Sequence, residues 1–388
     1  MTSLNLPMAD GGIAPFTFGP GRDFPARANR PFTRVAFSAA HVVADARAEH
    51  DPWLEPALDW DATIGFRRRL WDLGLGVAEA MDTAQRGMGL DWGAAQELIR
   101  RSLDAARGVP GARVACGAGT DHLPPGPEVT IDEVIAAYEE QVGFVEGLGG
   151  QVILMASRPL AAAARGPEDY ATVYDRILGQ VSQPVIIHWL GEMFDPALEG
   201  YWGKADHLAA MDVCLDILGH HADKVDGIKV SLLDKDKEIA MRRRLPDSIR
   251  MYTGDDFNYA ELIDGDEVGY SDALLGIFDP IAPAASAALD ALAGEDRATF
   301  HDILAPTVPL SRHIFKAPTR FYKTGVVFMA WLNGQQDHFV MVGGQQSARA
   351  LTHLAELLRL ADAAGLIEDP DRAAKRMGHL LAVHGIDG

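Results

Sequence analysis

The sequence is poor in cysteine and in basic residues, and it has no long apolar run. Cys116 and Cys214 are its two cysteines among 388 residues; they are too few for a disulfide framework, and neither has a metal-ligand partner at short spacing. The 35 basic residues against 55 acidic residues give a formal net charge of −20. Because so acidic a surface repels phosphate backbones, we predict that nucleic acid is not a partner.

Membrane and export signals are also lacking. No stretch approaches the roughly 18 consecutive apolar residues that a membrane-spanning helix requires. The first residues lack the basic segment followed by an apolar segment that marks a secretory signal. Because 48% of the residues are hydrophobic, the chain can still bury a large core. We therefore predict a cytoplasmic protein that has no membrane partner and acts on a small molecule.

Short β-branched segments alternate with longer amphipathic segments along most of the chain. The predicted strands are Arg34–Ser38, Leu75–Glu79, Arg113–Gly117, Gln151–Ala156, Pro184–His188, Val225–Val230, Ile249–Thr253 and Ala273–Ile277. Helical periodicity fills the intervals, as in Trp92–Ala106, Lys204–Leu218 and Thr130–Leu148, the last opening with a capping box. Eight such units predict an α/β fold, a closed (β/α)₈ TIM barrel. An open doubly wound sheet is the alternative, and the strand count weighs against it.

The predicted barrel occupies residues 31–295 and has a segment on either side. Residues 1–30 are rich in Gly and Pro, which predicts an irregular N-terminal arm. Residues 296–388 show helical periods only, at Thr299–Leu304, Tyr322–Leu332, Ser347–Ala364 and Asp369–His384. We therefore predict a C-terminal helical extension, and its apolar helices favour a homo-oligomer, most simply a dimer.

Polar residues stand at or just after the ends of the predicted strands. In a TIM barrel the active site lies at these C-terminal ends. The candidate site residues are Asp82, Thr83, Asp121, His122, His188, Glu192, Lys229, Ser231, Asp255 and Asn258. His41, Arg158 and Asp256 stand at similar positions. So many ionisable groups at one end of a barrel indicate an enzyme.

Lys229 is the most informative of these candidates. It lies within the predicted strand Val225–Val230, where lysine is disfavoured. Because Ile228 and Val230 are expected to pack outward, alternation turns Lys229 into the barrel. A buried amine has a lowered pKa and can condense with a ketone or an aldehyde. The structural alternative is a lysine that snorkels from the strand edge to water.

Three segments follow one another along the chain: Pro184–His188 (PVIIH), Gly227–Ser231 (GIKVS) and Met251–Asp256 (MYTGDD). In this order they resemble the fifth strand, the Schiff-base segment and the seventh strand of the dihydrodipicolinate synthase and N-acetylneuraminate lyase family of class I aldolases. Tyr322–Gly325 falls where the family has a late helix. The resemblance implies a barrel with C-terminal helices, a Schiff base on Lys229 and an oligomer. We predict neither a cofactor nor a bound metal.

Two departures from the family bear on the substrate. The family's carboxylate-binding G-T-T-G-E loop is replaced by Glu79–Ala84 (EAMDTA), and its proton-relaying tyrosine by His188. Histidine can also shuttle protons near neutral pH. We therefore predict a Schiff-base lyase, an aldolase or a dehydratase, that acts on a small polyhydroxylated carbonyl compound, a neutral keto-sugar fitting better than a keto-acid. Lys229 would be the nucleophile and His188 the proton shuttle, and the other candidates would hold the substrate.

Two other functions remain open from the sequence alone. Strand-end His, Asp and Glu residues could bind a divalent metal and run a sugar isomerisation or epimerisation. Such an enzyme should lose activity in EDTA, whereas a Schiff-base enzyme should not. A barrel that senses a sugar without catalysis is the third possibility, and it predicts ligand-induced stabilisation without turnover.

Overall fold

Eight parallel strands close into a barrel in the computed structural model of the chain, which describes residues 2–28 and 30–386. In chain order the strands of the described residues are β1 (Ser3–Pro7), β2 (Ile13–Thr17), β3 (Ala36–Ala39), β4 (Gly76–Glu79), β5 (Val114–Ala118), β6 (Gln151–Leu154), β7 (Val185–Leu190), β8 (Val225–Ser231), β9 (Arg250–Thr253) and β10 (Asp272–Leu275), and the last eight of these ten form the barrel. Strands β3 to β10 pair in chain order, and β10 returns to β3. The predicted (β/α)₈ fold is confirmed.

Helices cover the outside of the barrel and continue beyond its last strand. In the described residues they are α1 (Trp60–Asp72), α2 (Trp92–Arg107), α3 (Ile131–Gly147), α4 (Arg158–Ala163), α5 (Pro167–Gln180), α6 (His207–His220), α7 (Lys235–Arg242), α8 (Tyr259–Asp264), α9 (Ala282–Ala293), α10 (Arg297–Leu304), α11 (Thr307–Ile314), α12 (Tyr322–Leu332), α13 (Leu351–Ala363) and α14 (Pro370–Val383). Helices α1 to α8 connect barrel strands, and α9 follows β10. None of them is long and apolar enough to cross a membrane.

The helices begin where the sequence supplies a side chain to cap them. Thr130 and Glu133 form the predicted capping box of α3, each accepting a backbone N–H from the other. Aspartates take the same place in other helices; Asp59 caps α1, Asp91 caps α2 and Asp206 caps α6. These caps satisfy N–H groups that have no partner within the helix, so they fix where each helix leaves its strand-end loop.

The N-terminal segment departs from the predicted irregular arm. Strands β1 and β2 form an antiparallel hairpin, in which Ser3 pairs with Thr17 and Pro7 with Ile13. The prediction is wrong for this part because the glycine that indicated a loop, Gly11, adopts φ +85° and makes the turn between two short strands. The hairpin packs on the C-terminal helices, and Arg359 of α13 donates to the Pro7 carbonyl at 3.1 Å.

Strand alternation divides the apolar residues into two cores. The smaller core fills the barrel interior and comprises Phe37, Ala39, Ala78, Met81, Ala115, Ile153, Ile186, Tyr252 and Leu274. The larger core lies between the strands and the helices, and it includes Ile228 and Val230 of β8. Since side chains alternate along a strand, Lys229 lies on the inner face of the wall.

Candidate active site

Lys229 and His188 lie side by side on the inner wall of the barrel. They are register partners on the adjacent parallel strands β8 and β7. Lys229 is 8% exposed and His188 is 1% exposed, so both are largely removed from water. The structure thus brings together the two residues selected from the sequence as nucleophile and proton shuttle.

The His188 ring has one hydrogen-bond partner and one free nitrogen. Its Nε2 lies 3.2 Å from Ser231 Oγ, while its buried Nδ1 has no partner in the described residues. Burial, assisted by the nearby charge of Lys229, lowers the pKa of His188 well below its usual value. The ring is therefore neutral at physiological pH and can accept a proton rather than carry one.

Asp256 is the carboxylate whose charge acts most strongly on Lys229, although no hydrogen bond or ion pair joins the two among the described residues. Burial raises the pKa of Asp256 to about 7. Two smaller effects lower that pKa: the backbone N–H of Ile277, which donates to Asp256 Oδ1 at 2.8 Å, and the charge of Lys229. Burial likewise lowers the pKa of Lys229, while the charges of Asp256 and Asp82 oppose that change. Both shifts favour the uncharged forms, which lowers the cost of a neutral amine at Lys229.

Gly254 makes room for the Lys229 side chain. A Cβ atom built on Gly254 would lie 2.8 Å from Lys229 Cε and 2.7 Å from the Val230 carbonyl oxygen, and it would also clash with Ser231 Oγ. Position 254, directly after β9, therefore requires glycine, because the side chains of Lys229 and Ser231 on β8 occupy the space that a Cβ atom would need.

Gly254→Ala should accordingly disturb the site more than the fold. We expect the added methyl group to displace Lys229 and Ser231, and to cost about 1–3 kcal/mol of stability, the usual range for overpacking. Urea unfolding measures the stability, and trapping of a carbonyl compound on Lys229 measures the site. Gly143→Ala is the matched control, since a Cβ there meets no atom within 4 Å. Unchanged trapping in Gly254→Ala would contradict this account.

Two further candidates follow β4 at the mouth. The backbone at Asp82–Ala84 forms a single 3₁₀ turn. Thr83 Oγ1 lies 2.8 Å from the hydroxyl of Tyr322, which comes from α12 of the C-terminal extension. Asp82 lies at the cavity wall, and its charge acts on both Lys229 and Lys323. Glu79 faces away, since its carboxylate accepts bidentate hydrogen bonds from buried Arg67 at 2.8 and 2.9 Å.

Asp121 and His122 belong to a polar network around Arg86. Arg86 donates to Asp121 at 2.7 and 3.1 Å and to the Gly117 carbonyl at 2.6 Å, and it also contacts Gln141. Burial alone would raise the pKa of Asp121, but Arg86 and Gln141 outweigh it and hold that pKa below its usual value. His122 Nδ1 lies 2.8 Å from Gln141 Nε2, on the solvent side of the network. Asp121 is thus an ionised carboxylate with most of its acceptor capacity occupied.

Three candidates are engaged elsewhere. The Asp255 carboxylate accepts the N–H groups of Phe257 at 2.8 Å and Asn258 at 3.1 Å, and the Asn258 amide at 2.8 Å. The Asp255–Asn258 pair therefore shapes the turn after β9, and Asp256 rather than Asp255 is the carboxylate whose charge acts on Lys229. Glu192 accepts from His207 at 3.1 Å and lies outside the lining of the mouth cavities.

Two cavities meet at the mouth of the barrel. The inner cavity, of about 30 Å³, is lined by Asp82, Arg86, Asp121, Arg158, His188 and Leu190 among others. The outer cavity, of about 390 Å³, shares Asp82, Arg158 and Leu190 with the inner one and adds Arg320, Tyr322 and Lys323. Arg86 was missed in the sequence because it stands in a loop beyond β4, and Lys323 because it comes from a helix outside the barrel.

No three or more His, Cys, Asp and Glu side chains of residues 2–28 and 30–386 are grouped so that they could hold a metal ion. The mouth instead holds the ion pair of Arg86 with Asp121, and the buried Lys229, on which the charges of Asp256 and Asp82 act. The fold and site define a (β/α)₈ barrel with a buried lysine in its mouth and a helical C-terminal extension.

The chain belongs to the family described as "Protein of unknown function (DUF993)", whose model matches residues 4–386. No curated protein has a matching sequence.

Several solved structures share the architecture at low sequence identity. YagE, a prophage protein of the dihydrodipicolinic acid synthase family from E. coli K12, solved with pyruvate, has a TM-score of 0.66 and 13% identity over 86% of this chain and 99% of that chain. Dihydrodipicolinate synthase from Acinetobacter baumannii, also solved with pyruvate, has a TM-score of 0.63 and 14% identity, with the same coverage of 86% and 99%. The enzyme from Aquifex aeolicus has values of 0.62 and 12%, again over 86% and 99%. These likenesses confirm the resemblance at the level of the fold.

Proposed function

We propose that this protein is a Schiff-base lyase, an aldolase or a dehydratase, that acts on a small carbonyl compound through Lys229. The observation that carries the proposal is the position of Lys229, buried on the inner wall of the barrel as the register partner of His188, where the charge of Asp256 acts on it. Two of the structures with this fold were solved with pyruvate, which is itself a carbonyl compound.

The chemistry requires a neutral amine and a returning proton, and the neighbours of Lys229 supply both. Asp256 takes a proton from the ammonium, and the Nζ lone pair then attacks the carbonyl carbon to give a carbinolamine. The carbinolamine hydroxyl leaves as water with the proton returned by Asp256, and an iminium remains. In an aldolase the iminium accepts the electron pair of the neighbouring C–C bond, which breaks. In a dehydratase the iminium accepts the electron pair of the neighbouring C–H bond as a base removes the proton, and the enamine so formed expels the hydroxyl group from the next carbon.

His188 is placed to act on the substrate in the bond-breaking step. Its neutral ring can take the proton from a substrate hydroxyl in aldol cleavage, or from the carbon next to the iminium in dehydration. After aldol cleavage the enamine is protonated on carbon, whereas in dehydration it expels the hydroxyl group, which leaves as water with the proton that His188 took. In both cases water then hydrolyses the remaining iminium and frees Lys229. Ser231, which lies 3.2 Å from His188 Nε2, orients the ring during these transfers.

Lys323 is the rival nucleophile, and its surroundings argue against that role. It is also buried, and burial lowers its pKa to about 8. Its ammonium contacts the Met88 sulfur at 3.1 Å and the Arg320 carbonyl at 3.2 Å, neither of which can accept and return a proton at neutral pH. Lys229 instead has the His188 ring as its register partner, and the charge of Asp256 acts on it. The charge of Asp82 acts on both lysines and does not distinguish them.

Borohydride reduction with a panel of keto-sugars, keto-acids and aldehydes tests the proposal. We expect a stable adduct on Lys229, located by peptide mass mapping, for at least one compound of the panel. The adduct should form equally in EDTA. An adduct on Lys323 alone, or turnover that is lost in EDTA, would overturn the proposal, and the second result would favour a metal-dependent isomerase or epimerase.

We also propose a homodimer as the working assembly. Its basis is the apolar character of the C-terminal helices, where Val383 of α14 is 83% exposed and lies beside an apolar cavity lined by Trp331 and Phe339. Sedimentation equilibrium at micromolar concentration should give about twice the chain mass of 41.9 kDa. A mass of one chain would contradict the proposal.

A further inference from the structure

The outer mouth cavity concentrates positive charge in a strongly acidic protein. Its lining contains three cationic side chains, Arg158, Arg320 and Lys323, and two carboxylates, Asp82 and Asp195. The chain as a whole carries a formal charge of −20. The entrance of the site thus has a local excess of positive charge, which the chain as a whole does not have. This excess attracts anions toward the mouth.

Lys323 is the central cation of this cavity. It is 4% exposed, and its ammonium forms no ion pair with a carboxylate of the described residues. The ammonium contacts a thioether and one carbonyl and lies 5.1 Å from the centre of the Tyr322 ring, so part of its hydrogen-bond donor capacity is unused. Arg158, by contrast, is paired with Asp195, and Arg320 is exposed to solvent.

The Lys323 side chain is held over the mouth by contacts between α12, the segment before α13 and the loop after β4. Gln345 donates to the Met88 carbonyl at 2.7 Å, and Thr324 donates to the Gln345 carbonyl at 3.0 Å. A Cβ on Gly89 would lie 2.8 Å from the Val342 carbonyl, so the loop and the extension touch through a glycine. The cation is therefore fixed in position before any ligand binds.

We propose that the outer cavity is a subsite for an acidic group on the substrate, a phosphate or a carboxylate, carried at the end remote from the reacting carbonyl. Asp82, Arg158 and Leu190 line both cavities, so one ligand can reach from His188, the register partner of Lys229, to Lys323. Asp82, between them, can accept hydrogen bonds from hydroxyl groups of the connecting chain. The link to Lys229 rests on the proposed function, and it replaces the neutral keto-sugar expected from the sequence with an anionic one.

Binding to the Lys229→Ala variant tests the subsite without any imine chemistry. Calorimetry would compare dihydroxyacetone with dihydroxyacetone phosphate, and 2-pentanone with 4-oxopentanoate, so that the two pairs separate phosphate from carboxylate. We expect the acidic member of at least one pair to bind at least 10-fold more tightly. Adding Lys323→Met should remove about 10- to 100-fold of that preference, the value of a hydrogen bond to a charged group.

Two further variants keep the test decisive. Lys204→Met, at an exposed lysine outside the cavity lining, should leave the preference unchanged. Arg320→Gln changes an exposed side chain and should reduce the preference several-fold even if Lys323→Met fails to fold. Equal binding of the neutral and the acidic compound within both pairs would overturn the subsite. A preference for the acidic compound that survives Lys323→Met would also overturn it. If Lys323→Met fails to fold, a preference that survives Arg320→Gln has the same consequence. A preference for the acid with no adduct on Lys229 in the unmodified protein would leave the subsite standing and refute the lyase.

Discussion

Lys229→Ala should abolish carbonyl trapping and reduce turnover by roughly 10⁴-fold or more, because the amine that forms the covalent intermediate is gone. The barrel should remain folded, since removing a buried amine also removes the cost of burying its charge. Borohydride trapping and steady-state kinetics measure the loss, and thermal unfolding measures the fold. We expect the melting temperature to stay within a few degrees of the unmodified protein.

Two matched variants show whether the effect is chemical. Lys229→Arg keeps a positive charge in the mouth, but a guanidinium cannot form an imine, so it should fail as completely as alanine. Lys323→Met removes the other buried lysine, and trapping on Lys229 should persist with a neutral carbonyl compound. Full activity in Lys229→Ala, or trapping that follows Lys323 instead, would show that the Schiff-base mechanism is wrong.

The barrel could be predicted from the sequence because buried parallel strands are short apolar runs flanked by amphipathic helices. Each predicted strand overlaps one of β3 to β10, with ends that differ by a few residues. The segment predicted as Pro184–His188, for example, continues to Leu190. The hairpin of β1 and β2 was missed because composition alone cannot distinguish a glycine in a turn from a glycine in an irregular arm.

The sequence predicted the site only for residues whose positions follow from strand geometry alone. Lys229 and His188 are close because neighbouring strands and alternation place them so. Which of Asp255 and Asp256 acts on the lysine through its charge depends on the turn after β9, where one carboxylate is consumed by backbone N–H groups. Lys323 reaches the mouth only through packing of α12 against a loop more than 200 residues earlier in the chain, and no local pattern carries that information.

The pH dependence of imine formation should identify Asp256 as the group that exchanges a proton with Lys229. Burial raises the pKa of Asp256 to about 7, so below that pH the carboxyl is already protonated and cannot relieve the ammonium. The rate should therefore rise with pH through about 7. His188 cannot produce this rise, because its pKa is lowered well below the usual value and its ring stays neutral throughout.

Asp256→Asn and His188→Phe should affect the pH dependence of imine formation differently. Asp256→Asn should slow imine formation by about 10²- to 10⁴-fold, the usual range for acid–base assistance, and the rise should no longer be centred near pH 7. His188→Phe should slow turnover by about the same factor while the rise stays near pH 7, since the carboxylate is intact. Quenching with borohydride at timed intervals from pH 5 to 9 measures both profiles. A rise near pH 7 that survives Asp256→Asn and disappears in His188→Phe would reverse the two roles, making the histidine the partner of the lysine and the aspartate a structural acceptor for Ile277.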